Sequence, residues 1–259
     1  MTLIFDEDSK TMNTSVYKLE ICTNSLESVH EAVAGGADRI ELCTHLSCGG
    51  LTPSAGLLQT AIEYCDIPVN VLIRPRSGNF CYSQHEIDEI ARDIVFAKNA
   101  GAAGVVCGFL LPDGSIDKEL TRRMVLLASP MSFTFHRAFD VCINPFEALE
   151  TIIAAGCHRL LTSGQENSAA EGKELISKLI NQANGRIIVM PGSGVNVHTI
   201  ESLLATGAIE FHMSGTVLKT STALFCQNHV VLSSNSEADN QVWVTSGEKV
   251  AEVKRFLGK

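Results

Sequence analysis

Two cysteines end two short strand-like runs of similar sequence. Cys22 ends EIC and Cys43 ends ELC. If the two runs are neighbouring parallel strands, they lie only about 4.8 Å apart, and the two thiols lie close together. Two thiolates in this position could hold one soft ion such as Cu(I), and Cys48 is close by in the sequence. Simple packing is the alternative, because free cysteines are readily buried and any equivalent positions on neighbouring strands would be this close.

A second group of residues could bind an anion. Arg74 and Arg76 flank a proline in RPRSGNF (74–80), and guanidinium groups suit carboxylate or phosphate. Glycine-rich turns later in the chain could offer backbone N–H groups to a phosphate. The predicted anion-binding residues are Arg74, Arg76, Ser163, Gly192, Gly194 and Ser214. The alternatives are internal ion pairs for the arginines and tight turning for the glycines.

The segment TFHRAFD (134–140) could carry acid–base chemistry. Histidine changes charge near neutral pH, and an aspartate can fix its tautomer. We therefore predict His136 as a general acid/base and Asp140 as the residue that orients it. The alternative for His136 is a core histidine that fulfils no such role.

These residues must be positioned by short β-rich runs, which alternate with amphipathic helical stretches from about residue 17 to residue 217. The strand candidates are 18–22, 39–43, 69–74, 104–108, 132–136, 159–163, 186–190 and 210–214. Eight strands that alternate with helices require parallel pairing through crossover connections. The predicted fold is α/β, a single-domain (β/α)8 TIM barrel, with an open doubly wound sheet as the competitor.

An internal repeat favours the closed barrel. The segments GADRIELC (36–43), GAAGVVCG (101–108), GCHRLLTS (156–163) and GAIEFHMS (207–214) align without gaps, which indicates a fourfold repeat of two strand–helix units. Alternation along the strands predicts that one set of polar side chains points into the barrel. Its main members are Glu20, Cys22, Arg39, Glu41, Cys43, Arg159, Glu210 and His212. Interior charges need partners, so the arginines and glutamates are expected to pair with each other.

Composition excludes several classes of protein. Of the 259 residues, 45% are hydrophobic and 19% are charged, which suits one sizeable core and excludes a disordered chain. Acidic residues outnumber basic ones by 29 to 20, so a chain-wide basic surface for nucleic acid is excluded. The apolar runs are strand-sized, which predicts that no segment spans a membrane.

The terminal segments and the cysteine usage complete the outline. Residues 1–16 lack the features of a secretory signal and are predicted to form a flexible tail. Residues 17–217 are expected to form the barrel, and residues 218–259 an appendage that packs on it. The nine cysteines include no CxxC pair, which favours reduced thiols in the cytoplasm.

Several long motifs closely resemble the CutC copper-homeostasis family, in one collinear order from about residue 18 to residue 217. They are LEICTNSLESVHEAVAGGADRIELC, GGLTPS (49–54), IRPRSGNFCYS (73–83), TFHRAFD (134–140), LTSGQ (161–165) and MPGSGV (190–195). The resemblance implies a TIM barrel, a cytoplasmic location, a role in copper handling and homo-oligomers. It also implies that Cys22 and Cys43 are the Cu(I) ligands.

This chain departs from the family pattern at a few positions. Cys48 stands where glutamate is usual, serines replace glycine at Ser77 and Ser193, and Gly215 replaces alanine. The resemblance favours a copper-binding protein. Two other hypotheses stay open: a barrel enzyme that acts on a small phosphate- or carboxylate-bearing metabolite, and a scaffold that functions through oligomerisation.

Overall fold

The sheet of this protein is a nearly closed ring of eight parallel strands. A computed structural model describes residues 17–220 and 241–258. The strands are β1 (Lys18–Thr23), β2 (Arg39–Leu42), β3 (Val69–Leu72), β4 (Gly104–Cys107), β5 (Ser132–Phe135), β6 (Arg159–Thr162), β7 (Ile188–Pro191) and β8 (Glu210–Met213). Their order is β7-β6-β5-β4-β3-β2-β1-β8, and β7 and β8 lie side by side. The predicted TIM barrel is confirmed.

Helices surround the strands. They are α1 (Leu26–Ala34), α2 (Ala55–Tyr64), α3 (Gln84–Ala100), α4 (Lys118–Ala128), α5 (Pro145–Ala155), α6 (Lys173–Ala183), α7 (Ile200–Leu204) and α8 (Gly247–Leu257). Short 3-10 helices cover Leu46–Cys48 and Arg137–Val141. Among the described residues, no helix has the length and apolar character needed to cross a bilayer.

The sequence spacing of Asn24 with Glu27, Ser83 with Glu86 and Asn144 with Glu147 predicts three capped helix starts, and these predictions are partly correct. Ser83 and Glu86 form the expected capping box, and the side chain of Asn144 caps α5. The predicted cap of α1 at Asn24 is wrong, because the amide of Asn24 donates to the carbonyl of Trp243 and Ser25 caps the helix instead. Short polar residues cap equally well at neighbouring positions, so tertiary contacts decide between them.

The strands separate two layers of side chains. The layer between the strands and the helices is apolar and fully buried, and it includes Ile40, Leu42 and Phe211. On β2 and β8, which carry these three residues, the opposite side chains are polar and point into the barrel. Parity along each strand therefore sends the ionisable groups inward, as the repeat predicts.

Residues after the eighth strand return to the barrel. β9 (Thr216–Thr220) and β10 (Gln241–Thr245) form an antiparallel pair, and α8 packs against α1 and β1. Val250, Val253 and Leu257 are buried in this contact. Thus α8 is the eighth helix around the barrel. The predicted flexible tail at residues 1–16 and part of the predicted appendage, residues 221–240, fall outside the described residues.

Candidate metal centre at the barrel mouth

The floor of the barrel is closed by an ion network. Arg39 donates to Glu20 and to Glu210, both at 2.6 Å, and Arg159 donates to Glu210 at 2.7 Å. Burial alone would raise the pKa of Glu20, but Arg39, and then His212, lower it to about 2. The expected pairing is confirmed for the two arginines with Glu20 and Glu210, whereas Glu41 faces His212 instead.

His212 and Glu41 lie next to this network. The Nδ1 atom of His212 is 2.8 Å from a carboxylate oxygen of Glu20, and its Nε2 atom is 3.7 Å from one of Glu41. Burial opposes the charged imidazole, but Glu41, Cys22 and Glu20 together raise the pKa of His212 well above its ordinary value. The two ring nitrogens thus face two carboxylates, an arrangement that favours the charged imidazole.

The predicted thiol pair is present. The Sγ atoms of Cys22 and Cys43 are 3.5 Å apart, and the two residues are only 7% and 0% exposed. Backbone register places Cys22 opposite Glu41, which puts Cys43 one inward position further along its strand. The hydrogen bond with Cys43 and burial raise the pKa of Cys22 well above its usual value. In the absence of a metal, Cys22 is therefore a thiol at neutral pH.

Two further residues join the thiol cluster. Ligand atoms of Cys22, Glu41 and His212 all lie within 4.8 Å of one another. Sequence reasoning placed Glu41 and His212 inside the barrel but gave neither a place beside the thiols. Placing Glu41 beside the thiols requires the register of β1 on β2, which pairs Cys22 with Glu41 and which the sequence pattern does not show. Cys48 does not join them: its thiol donates to the carbonyl of His45.

A cavity of about 370 Å³ opens beside this cluster. Cys22, Glu41 and His212 line one side, and Arg74 and His136 line another. Cys43 does not line the cavity. It packs with Cys22, Leu72 and Val106 in a small apolar cluster. The thiol pair is thus shielded by apolar side chains but reached from the cavity through Cys22.

The two predicted anion-binding arginines have different surroundings. Arg74 is 6% exposed and donates to the backbone carbonyls of Cys48, Gly50 and Gly78. Arg76 instead pairs with Glu86 and donates to the carbonyls of Asn79 and Cys81.

Of these two arginines, only Arg74 lines the cavity. The structure therefore does not bring Arg74 and Arg76 together in one pocket.

His136 and Asp140 do not form the expected pair. The Nδ1 atom of His136 accepts from the backbone N–H of Ala138, whereas Asp140 accepts from Arg137 and from Ser163. Asp140 lies one 3-10 turn beyond the histidine and caps the loop after β6. Its predicted role in orienting His136 is not supported by these contacts. Catalysis by His136 remains a prediction.

The other predicted anion-binding residues are divided in the same way. Gly194 and Ser214 line the cavity. The hydroxyl of Ser163 instead contacts Asp140 and the carbonyl of Glu166. A Cβ atom on Gly192 would lie 2.4 Å from a methyl carbon of Leu161, so this glycine permits close packing.

Comparison with known proteins places the chain in a family. The CutC family model matches residues 17–217. A human copper homeostasis protein cutC homolog is 46% identical over 90% of this chain and 86% of the human protein. A CutC family protein of Pasteurella multocida is 42% identical over 93% of this chain and 99% of its own length.

A solved structure agrees with this assignment. The CutC structure from Streptococcus agalactiae superimposes with a TM-score of 0.73 at 30% identity, over 76% of this chain and 98% of that one. The motifs, the barrel and the extent of these matches lead to one conclusion. This chain belongs to the CutC family.

Proposed function

We propose that this protein serves copper homeostasis by binding Cu(I) between Cys22 and Cys43. The observation that carries the proposal is the 3.5 Å separation of the two Sγ atoms in a buried position. Relatives named for copper homeostasis support the general role. Thiolates are the soft ligands that Cu(I) prefers over harder oxygen ligands.

The separation of the sulfur atoms suits a shared ion. With metal–sulfur bonds of about 2.3 Å, two thiolates on one ion lie about 3.8 Å apart at a tetrahedral angle and about 4.6 Å apart in a line. The pair of Cys22 and Cys43 must therefore open by only a fraction of an ångström to about 1 Å. Side-chain rotation can supply this change without moving either strand.

The surroundings of His212 favour a site with few ligands. Both nitrogens of this imidazole face carboxylates, at 2.8 Å and 3.7 Å. An imidazole held in this way competes less well for a soft ion than the thiols do, so the two thiolates are the principal ligands in this proposal. Zn(II) normally takes four ligands, whereas Cu(I) accepts soft ligands at low coordination.

The free cysteines are consistent with a cytoplasmic protein. All cysteines within the described residues are free, including the close pair Cys22 and Cys43. Two thiols this close would be exposed to oxidation in an oxidising compartment. A reducing cytoplasm keeps both thiols available for Cu(I).

The proposal is tested by anaerobic competition of the protein against a Cu(I) chelator. We expect one tightly bound Cu(I), and we expect Cys22→Ser and Cys43→Ser each to weaken binding by orders of magnitude because one thiolate cannot replace two. Cys157→Ser is the matched control, since Cys157 is also buried but packs in the apolar core. If Cys22→Ser/Cys43→Ser binds Cu(I) as tightly as the native protein, the proposal is wrong.

A His212→Gln variant separates Cu(I) from Zn(II). If the two thiolates are the principal ligands, Cu(I) affinity changes by less than about tenfold. If the physiological ion is Zn(II) with a four-ligand site, the native protein prefers Zn(II) in parallel titrations and the variant loses that binding.

A further inference from the structure

The loop after β7 presents backbone donors to the mouth cavity. Ser193, Gly194 and Val195 all line it. Within residues 17–220 and 241–258, their N–H groups donate no hydrogen bond. Ser193 and Gly194 both have positive φ, 77° and 73°. This turn, unusual for serine, exposes successive N–H groups, and such turns form concave anion sites.

This loop is held firmly in that conformation. The carbonyl of Ser193 accepts from the backbone N–H of Ala169, and its hydroxyl donates to the carbonyl of Asn167. Both groups of Ser193 that could otherwise turn toward a ligand are thus occupied by the 167–169 segment. The free N–H groups are preorganised, so a ligand need not order the loop.

His136 adds a buried donor on another side of the cavity. It is 5% exposed, and its Nε2 atom has no hydrogen-bond partner among the described residues. Since Nδ1 accepts from the N–H of Ala138, the proton of the neutral ring is on Nε2. Burial, and then the charge of Arg74, lower the pKa of His136 to about 3, which keeps the ring neutral. An unsatisfied buried donor is costly unless a ligand or water accepts from it.

Arg74 supplies a buried positive charge without a counter-charge. Its hydrogen bonds go to three neutral carbonyl groups, and its Nε atom has no partner. Within the described part of the chain, no carboxylate lies within ion-pair distance of Arg74, although Arg39, Arg76 and Arg159 each have at least one. Buried charges are normally paired, so this guanidinium lacks an anion.

We propose that the mouth cavity binds the phosphate or carboxylate group of a small organic anion between Arg74, His136 and the N–H groups of residues 193–195. The donors converge on this space from three elements, the ends of β3, β5 and β7. Leu46, Leu161 and Met213 also line the cavity and suit the carbon skeleton of such a ligand. A volume of about 370 Å³ is far more than a bare ion needs and falls within the range of small-molecule sites.

The test uses copper-free full-length protein, so its outcome is independent of the copper proposal. Sodium phosphate and sodium acetate are titrated separately at constant ionic strength, while amide NMR signals are followed. We expect one or both anions to shift the signals of Ser193, Gly194 and Val195 at millimolar concentration. The anion that binds more tightly identifies the ligand as an organic phosphate or a carboxylate.

Two variants and a control locate the binding site. His136→Phe removes the Nε2 donor but keeps a ring against Phe80, and it should weaken binding at least about tenfold, as expected for a hydrogen bond to a charged group. Arg74→Leu should abolish binding. Because Arg74 also donates to three loop carbonyls, this variant can fail to fold, and the test then depends on His136→Phe. Arg123→Leu makes the same charge change on an exposed face of α4 and should bind normally.

Two results would overturn the proposal. One is that neither phosphate nor acetate shifts these amide signals in the native protein. The other is that the native protein, His136→Phe and Arg123→Leu respond equally, which would show a nonspecific effect of salt.

Discussion

The cysteines of this chain have very different chemical surroundings. Burial raises the pKa of Cys157 to about 12, and burial also raises the pKa of Cys107 well above its ordinary value. Both lie in the apolar core, where a thiol behaves as a small hydrophobic group. Cys22 is also a protonated thiol, but it has a second thiol at 3.5 Å and contacts a cavity. This combination makes it a candidate ligand.

Copper binding at this pair should depend strongly on pH. The pKa of Cys22 lies well above its usual value because of Cys43 and burial, so the site holds at least one proton that Cu(I) must displace. The sign follows: raising the pH removes the competing proton and strengthens binding. We expect the Cu(I) association constant to rise up to about tenfold per pH unit for each proton released.

The measurement is a set of chelator competitions between pH 6 and pH 8, corrected for titration of the chelator. Calorimetry in buffers of different ionisation enthalpy gives the number of protons released. A Cu(I) affinity that is flat with pH, with no proton release, would contradict binding by the thiols.

Among the strands, sequence pattern predicts a good part of the architecture. The β-rich runs predict eight strands, and the fourfold repeat predicts the face that points inward. It does not give the relative shift of neighbouring strands, and this shift places Cys22 opposite Glu41. Register depends on packing around the whole ring, so the thiol pair was predictable but its neighbour was not.

The surroundings of Arg74 illustrate a second limit. Its inward position follows from strand parity. Its partners are carbonyls of Cys48, Gly50 and Gly78, which come from two different loops. Loop conformation leaves no periodic pattern in the sequence, so the sequence could not show whether this arginine is paired with a carboxylate.

The ion network at the barrel floor gives a stability prediction. Arg39→Leu leaves the buried carboxylates of Glu20 and Glu210 each without one of its partners. We expect the free energy of unfolding to fall by about 3 kcal/mol or more, measured by chemical denaturation. Arg186→Leu is the control, because it breaks an exposed pair with Glu150 and should have a much smaller effect. Equal stability of native protein and Arg39→Leu would refute the role assigned to this network.

Close approach of strands at a glycine gives a further prediction. A Cβ atom on Gly104 in β4 would lie 2.2 Å from the hydroxyl of Ser132 and 2.4 Å from the side-chain oxygen of Asn70. Gly104→Ala should therefore destabilise the protein by about 1–3 kcal/mol, as overpacked substitutions do. Gly56→Ala in α2 meets nothing within 4 Å and should be neutral or stabilising. Thermal unfolding compares the melting temperatures of the two variants. Equal melting temperatures would show that the strands around Gly104 are loosely packed.

At the scale of the molecule, the barrel has two unlike ends. The floor is sealed by paired charges, and the opposite end carries the thiol pair beside an open cavity. The CutC match ends at residue 217, but the helix ring around the barrel also includes α8, which follows that match. This helix packs on α1 and β1. If Cys22 and Cys43 hold Cu(I) as proposed, the ion would lie at this end of the barrel, beside the cavity.

The position of copper in the whole molecule tests the central claim most directly. Crystals of the native protein loaded anaerobically with one equivalent of Cu(I) would be measured above and below the copper absorption edge. We predict one anomalous peak per chain, between the Sγ atoms of Cys22 and Cys43 and next to the cavity. A fully loaded protein with its copper peak at other cysteines, and none between these two sulfur atoms, would contradict the account.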